Sequence, residues 1–189
     1  MRVKPVVVVP LLAVLALLLA GCGGSGAAVA RTIAIKSQAS APASPAAPAV
    51  PAVIPDSLKF TGTTLDGKPF DATKLAGRPV VLWFWAPWCS TCMGQAAAVA
   101  ELAKEYDGKV TMIGIAGLDQ STKAMNQFVT EGEVANVTHL NDKAGVVWRK
   151  FGIKEQSVFV MINRSGKVMQ NGYQDTVTLG DWVAYLDKH

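Results

Sequence analysis

The run "PVVLWFW" at positions 79–85 carries no polar residue and stops against Ala86 and Pro87. A strand with one face in water alternates apolar and polar side chains, so an unbroken apolar run fits a strand covered on both faces. Such a strand belongs at the centre of a sheet with helices packed on each side, which restricts the fold to the α/β class. The next residues tighten the restriction. Residues 90–106, "STCMGQAAAVAELAKEY", are rich in Ala and other good helix formers and place Cys92, Ala96, Val99 and Leu102 on one face. Cys89 and Cys92 therefore stand where a buried strand gives way to a helix.

The rest of the chain supplies elements to surround that strand. "LKFTGTTLDGKPF" alternates around Asp66-Gly67, a dipeptide that accepts the positive φ of a tight turn, and predicts a leading hairpin. "KVTMIGIAG" reads as a second buried strand, 122–131 as a helix, "NVTHL" as a short strand, and "DKAGVVWRKFG" (142–152) as a helix ended by Gly152. "SVFVMI" turns at Asn163-Arg164-Ser165-Gly166 into "KVMQNGY". A last helix is predicted from Thr178, with Asp181 three residues on as a weaker form of the capping box. Strands alternating with helices, then a hairpin and a helix, indicate a three-layer α/β sandwich.

Charge narrows the partners. Arg2, Lys4, Arg31 and Lys36 precede residue 50 with no acid among them, so the rest of the 18 basic residues match the 14 acidic ones. The segment from about residue 54 onward is formally neutral and shows no basic stripe, which argues against nucleic acid as a partner.

The first fifty residues have another character. Arg2 and Lys4 lead into "PVVVVPLLAVLALLLA", 16 residues broken by Pro10 and followed by Gly21-Cys22. A basic start, a short apolar core and small residues at the boundary read as an export signal, shorter than the roughly 20 residues that span a bilayer. Residues 23–53 are almost entirely Gly, Ala, Ser, Pro and Val. They hold too few large apolar side chains to offset the entropy of ordering and are expected to form a tether. About thirty such residues span roughly 30 Å if flexible and up to about 90 Å if extended.

Three chemistries suit a Cys-x-x-Cys pair. Structural zinc wants four ligands, and beyond Cys89 and Cys92 the domain offers His139, inside an apolar strand and read as a satisfied strand residue, and the terminal His189. A static staple across so short a loop restricts the unfolded chain little. A redox pair follows from position: at a helix start the Cys89 sulfur meets unpaired N–H groups and the positive end of the helix dipole, surroundings that bring a cysteine pKa to about 3.5–7.5. Cys92, one turn further in, is then covered and resolves the mixed disulfide that forms on Cys89.

"FWAPWCSTC" closely resembles the active-site motif of the thioredoxin superfamily, and the order of elements resembles that fold over about 130 residues. With "VVLWFWAPWC", "IAGLDQ", "VVWRKFGI" and the leading hairpin, the chain is similar to extracytoplasmic disulfide-bond-forming lipoproteins of the DsbE/DsbF type, related to the TlpA and ResA branch that serves cytochrome c maturation. "LAGC" resembles a bacterial lipobox, which implies a signal peptide over 1–21, a diacylated Cys22, a tether over 22–54 and a thioredoxin-like domain over 55–189 with a mixed central sheet.

The resemblance implies thiol–disulfide exchange without any cofactor beyond the Cys89–Cys92 disulfide, and no metal. It further implies exported thiol proteins as substrates, a membrane-embedded redox partner, and a lipid-anchored place outside the cytoplasm. Trp88, Gln156 and Ser157 become the substrate-facing surround.

Departures from the pattern give direction. The buried acid that many thioredoxins hold six residues before the first cysteine is Trp83 here, and the Glu and Pro that related reductases carry after the second are Gln95 and Ala97. Without a carboxylate beneath the pair the thiolates are favoured, which makes the disulfide the better oxidant and favours an oxidase. The reverse flow, a reductase, is the runner-up; a metal or iron–sulfur module using the same cysteines is the reading of another class. The family's cis-proline position is Ser157. A cis Gln156-Ser157 bond costs about 2.5–4 kcal/mol more than trans, so the loop is expected to be trans or to store strain, with the Ser157 N–H and hydroxyl available toward the sulfurs. Trp88 reads as a partly exposed cover; Trp83, Phe84, Trp85, Trp148 and Phe151 read as packing.

Overall fold

The computed structural model describes residues 53–189. The export signal over 1–21, Cys22 and the tether apart from its last two residues lie outside the described residues. Within them, strand β3 (Val80–Trp85) is buried along its whole length. Its side chains still alternate: Val81, Trp83 and Trp85 enter one hydrophobic core, and Val80, Leu82 and Phe84 enter another on the opposite face. Alternation is invisible in the sequence because both faces are apolar.

Around β3 lie β4 (Thr111–Ala116), β5 (Thr138–Asn141), β6 (Val158–Ile162) and β7 (Val168–Tyr173), in the spatial order β5-β4-β3-β6-β7. Strands β3, β4 and β5 run parallel, while β6 pairs antiparallel with β3 and β7 antiparallel with β6, so the sheet is mixed. The leading hairpin, β1 (Thr61–Thr63) and β2 (Pro69–Asp71), turns through Gly67 at φ 84°. It leans on β5 through the Leu65 N–H, which donates to the His139 carbonyl at 2.9 Å.

Helices α1 (Ser90–Glu105), α2 (Thr122–Glu131) and α4 (Thr176–Lys188) supply Cys92, Ala96, Val99, Met125, Phe128, Leu179, Val183 and Leu186 to the first core. On the other face, α3 (Val146–Lys150) brings Val147 and Trp148 against Phe84, joined by Leu58 and Phe60. Trp148 and Phe151 pack as expected, the Trp148 ring edge-on to Phe84 at 5.6 Å. The result is the expected three-layer sandwich with a hairpin extension.

Two helix starts differ from expectation. The helix expected over 142–152 is cut to five residues, because Gly145 is left-handed and the Asp142 carboxylate accepts the N–H groups of Val146 at 2.7 Å and Trp148 at 2.9 Å. The last helix begins at Thr176 instead of Thr178. Its N-cap is Asp175, whose carboxylate accepts from Val177 and Thr178 N–H, so Thr178 lies inside the first turn. A carboxylate capped by two N–H groups outcompetes a hydroxyl for the same orphan donors.

Candidate active site

Strand β3 ends at Trp85, and the Cys89 N–H donates back to the Ala86 carbonyl at 3.1 Å. Cys89 is the N-cap of α1, with extended backbone (φ −85°, ψ 106°), and its sulfur accepts the Cys92 N–H at 3.0 Å. A 16-residue helix therefore starts on a sulfur, which fills the role that Ser or Asp plays at other N-caps. Cys89 and Cys92 are joined as a disulfide, their Cα atoms 5.3 Å apart. Cys89 is 5% exposed and Cys92 fully buried. Cys92 is thus covered as the sequence implied, and the exposure of Cys89 in the oxidised pair is a narrow opening rather than a projecting sulfur.

The rim comes from the neighbouring strands. On the β4 side, Trp88 is 58% exposed and its indole N–H donates to the Leu118 carbonyl at 3.2 Å. Leu118 holds a left-handed φ of 55°. On the β6 side, Gln156 is half-buried and Ser157 buried. No cis peptide bond occurs among the described residues, and Ser157 instead adopts φ 68°. The Ser157 N–H and hydroxyl, expected toward the sulfurs, are both turned inward. The N–H donates to the Phe84 carbonyl at 2.8 Å and the hydroxyl to Gln95 Oε1 at 3.0 Å.

Beneath the pair the surroundings are neutral. Trp83, buried, donates its indole N–H to Gln95 Oε1 at 3.2 Å, and Gln95 Nε2 donates to the Gln174 carbonyl at 2.9 Å. Gln95 appeared in the sequence only as a departure from a family pattern. Its spacing of three from Cys92 already placed it on the buried face of α1, and that was the available signal.

His139 is satisfied within the core: its Nε2 faces the Val134 carbonyl at 3.0 Å and its Nδ1 the Trp85 indole nitrogen at 3.2 Å. Since an indole only donates, Nδ1 accepts and the proton sits on Nε2. Burial lowers its pKa to about 4. Among the described residues no group of three or more His, Cys, Asp or Glu side chains is arranged to hold a metal ion.

Comparison with known proteins matches this arrangement to a family. The Redoxin family model covers residues 42–184. The soluble secreted antigen MPT53 of Mycobacterium tuberculosis (strain ATCC 25618 / H37Rv) is 40% identical over 111 residues, 59% of this chain and 62% of that protein; the match spans less than two thirds of the relative's length. The solved structure of Mycobacterium tuberculosis DsbF in mixed oxidised and reduced forms is 40% identical, with a TM-score of 0.66 over 70% of this chain and 98% of that one. A second, of a secreted Mycobacterium tuberculosis disulfide oxidoreductase homologous to Escherichia coli DsbE, is 35% identical, with a TM-score of 0.64 over 69% and 98%. The chain belongs to the Redoxin family and has a thioredoxin-like fold.

Proposed function

We propose that this redoxin-family protein is an extracytoplasmic thiol–disulfide oxidoreductase that oxidises the thiols of exported proteins. The observation that carries the direction is the Cys89 sulfur at the start of α1, accepting the Cys92 N–H, with neutral Trp83 and Gln95 behind the pair. A helix N-terminus stabilises negative charge, and a favoured thiolate makes the reduced form the more stable one, so the disulfide passes readily to a substrate.

The exchange runs in two displacements. A substrate thiolate attacks the Cys89 sulfur, the more exposed of the two; the Cys89–Cys92 bond breaks and Cys92 leaves as a thiolate. A second substrate thiolate then attacks the substrate sulfur of the mixed disulfide and releases Cys89. The substrate loses two electrons and two thiol protons, and the protein gains the two electrons as its reduced pair. Trp88 and the Gln156-Ser157 loop receive the substrate.

A membrane-embedded redox partner would accept those electrons, and lipid on Cys22 would hold the domain at the outer side of the bacterial cell membrane. The relatives named as secreted support the compartment. Mass spectrometry of membrane-extracted protein is expected to show diacylated Cys22, and an intact Met1 would refute the anchor.

The decisive experiment is the reduction potential against glutathione. A value of about −120 to −180 mV supports the oxidase, and one near −270 mV or below turns the assignment to a reductase. Stoichiometric metal in anaerobically purified protein, lost in Cys89→Ser, would replace both with a metal-binding module.

A further inference from the structure

Gln95 lies one turn beyond Cys92 on the buried face of α1 and is itself 3% exposed. Its side-chain amide meets three other segments: the Trp83 indole on β3, the Ser157 hydroxyl ahead of β6, and the Gln174 carbonyl between β7 and α4. The partners fix the amide's orientation. An indole only donates and a backbone carbonyl only accepts, so the oxygen must face Trp83 and the nitrogen Gln174.

One of the three ties holds a costly conformation. Ser157 has φ 68°, where an L residue is strained, and what keeps it there is its N–H on the Phe84 carbonyl and its hydroxyl on Gln95. Val158 pairs with Phe84, near the end of β3, so the Gln156-Ser157 loop lies at the same end of the sheet as the cysteines.

We propose that Gln95 is a positioning residue. Through Ser157 it holds the Gln156 peptide at the rim of the disulfide, in the conformation that receives the backbone of a cysteine-containing substrate. This deepens the proposed function and rests on it. Neutrality is part of the role: a carboxylate at this position would set an oxygen against the Gln174 carbonyl, and only its protonated form, whose O–H donates, would restore all three bonds.

The test is single-turnover oxidation of a reduced cysteine-containing peptide by the oxidised full chain, with half-saturation concentration and maximal rate measured separately from pH 5 to 8. Each variant is compared with wild type at the same pH. Gln95→Met is expected to raise the half-saturation concentration about tenfold at every pH, with a much smaller change in maximal rate. Gln95→Glu is expected to match wild type near pH 5 and approach the Met variant near pH 8. Ser157→Gly, whose backbone accepts positive φ freely, raises half-saturation similarly, and combining it with Gln95→Met makes it no worse.

Half-saturation within twofold of wild type in both Gln95→Met and Ser157→Gly overturns the proposal, as does a Gln95→Glu ratio that stays flat with pH. Should Gln95→Met fail to fold, Ser157→Gly and the Glu pH series decide. A wild-type protein that does not exchange with peptide overturns the proposed function itself, and this role with it; exchange by wild type with unchanged variants overturns the positioning role alone.

Discussion

Where β3 and β4 begin and β6 ends, the chain turns through left-handed backbone at Gly77, Gly108 and Gly166. At the other end of the same strands, beside the cysteines, the residues in that conformation after β4 and before β6 are Leu118 and Ser157. Glycine reaches positive φ freely, whereas an L side chain there costs of order 1–2 kcal/mol. The first end only has to reverse direction. The second keeps the strain, because the strained residues are engaged: the Leu118 carbonyl accepts the Trp88 indole N–H and the Ser157 hydroxyl donates to Gln95 Oε1. Around these three central strands the division separates the end that folds from the end that reacts; β5 does not share it, with Glu133 at φ 51° ahead of the strand and Gly145 at 65° after it.

The largest effect should confirm which end is chemical. Cys89→Ser is expected to reduce peptide oxidation at least about a thousandfold, as is Cys92→Ser. Given a disulfide-bearing peptide instead, Cys92→Ser should accumulate a mixed disulfide on Cys89, seen by mass spectrometry, because the Cys89 thiolate displaces one peptide sulfur and no Cys92 thiol is there to release it. Exchange surviving in both would erase the distinction.

Acid probes the strands between the two ends. Burial lowers the His139 pKa from 6.5 to about 4, so below pH 6.5 the unfolded chain binds a proton that the folded chain refuses. This contribution is complete above pH 6.5 and is lost as pH falls toward 4, about 3 kcal/mol in all. Urea unfolding across that window should show the loss, and His139→Gln should flatten it; Gln95, an amide, adds nothing to the slope.

The turning end should be sensitive in stability alone. A side chain at Gly166 would meet the Pro55 ring, at a φ of 82° that L residues avoid. Gly166→Val is expected to cost at least about 2 kcal/mol by denaturant unfolding while the folded protein exchanges thiols at the wild-type rate. A smaller exchange rate would mean that the two ends are coupled. The smallest effect tests strain directly: Leu118→Gly is expected to stabilise by up to about 1 kcal/mol, and a loss of stability would show that this backbone was not strained.

The sequence disclosed most of the scaffold and the reacting pair. The strands were readable because β3, β4 and β6 are apolar runs and β1, β2 and β7 sit beside Gly turns; α1 and α2 were readable from composition and spacing. Cys89 and Cys92 were legible because their chemistry depends on two residue types at a strand–helix junction. Helix α3 was overextended since periodicity does not show that Asp142 caps from four residues away. Gln95 as a meeting point was hidden for a related reason. Its three partners come from Trp83, Ser157 and Gln174, between 12 and 79 residues distant, and only folding brings them together. Backbone strain at Leu118 leaves no mark in residue type, whereas at Ser157 a serine at the family's proline position already raised the expectation of a trans or strained loop, and only its left-handed form stayed hidden.

The chain enters the domain against the β6–β7 turn, where Pro55 packs on Gly166 and the Ser57 hydroxyl donates to the Gly166 carbonyl at 2.6 Å. That corner lies at the opposite pole from the cysteines, separated by the length of β3, roughly 20 Å for six residues. Any pull applied to the chain at Val53 therefore enters the domain at that pole and crosses the length of the central strand before it reaches the sulfurs.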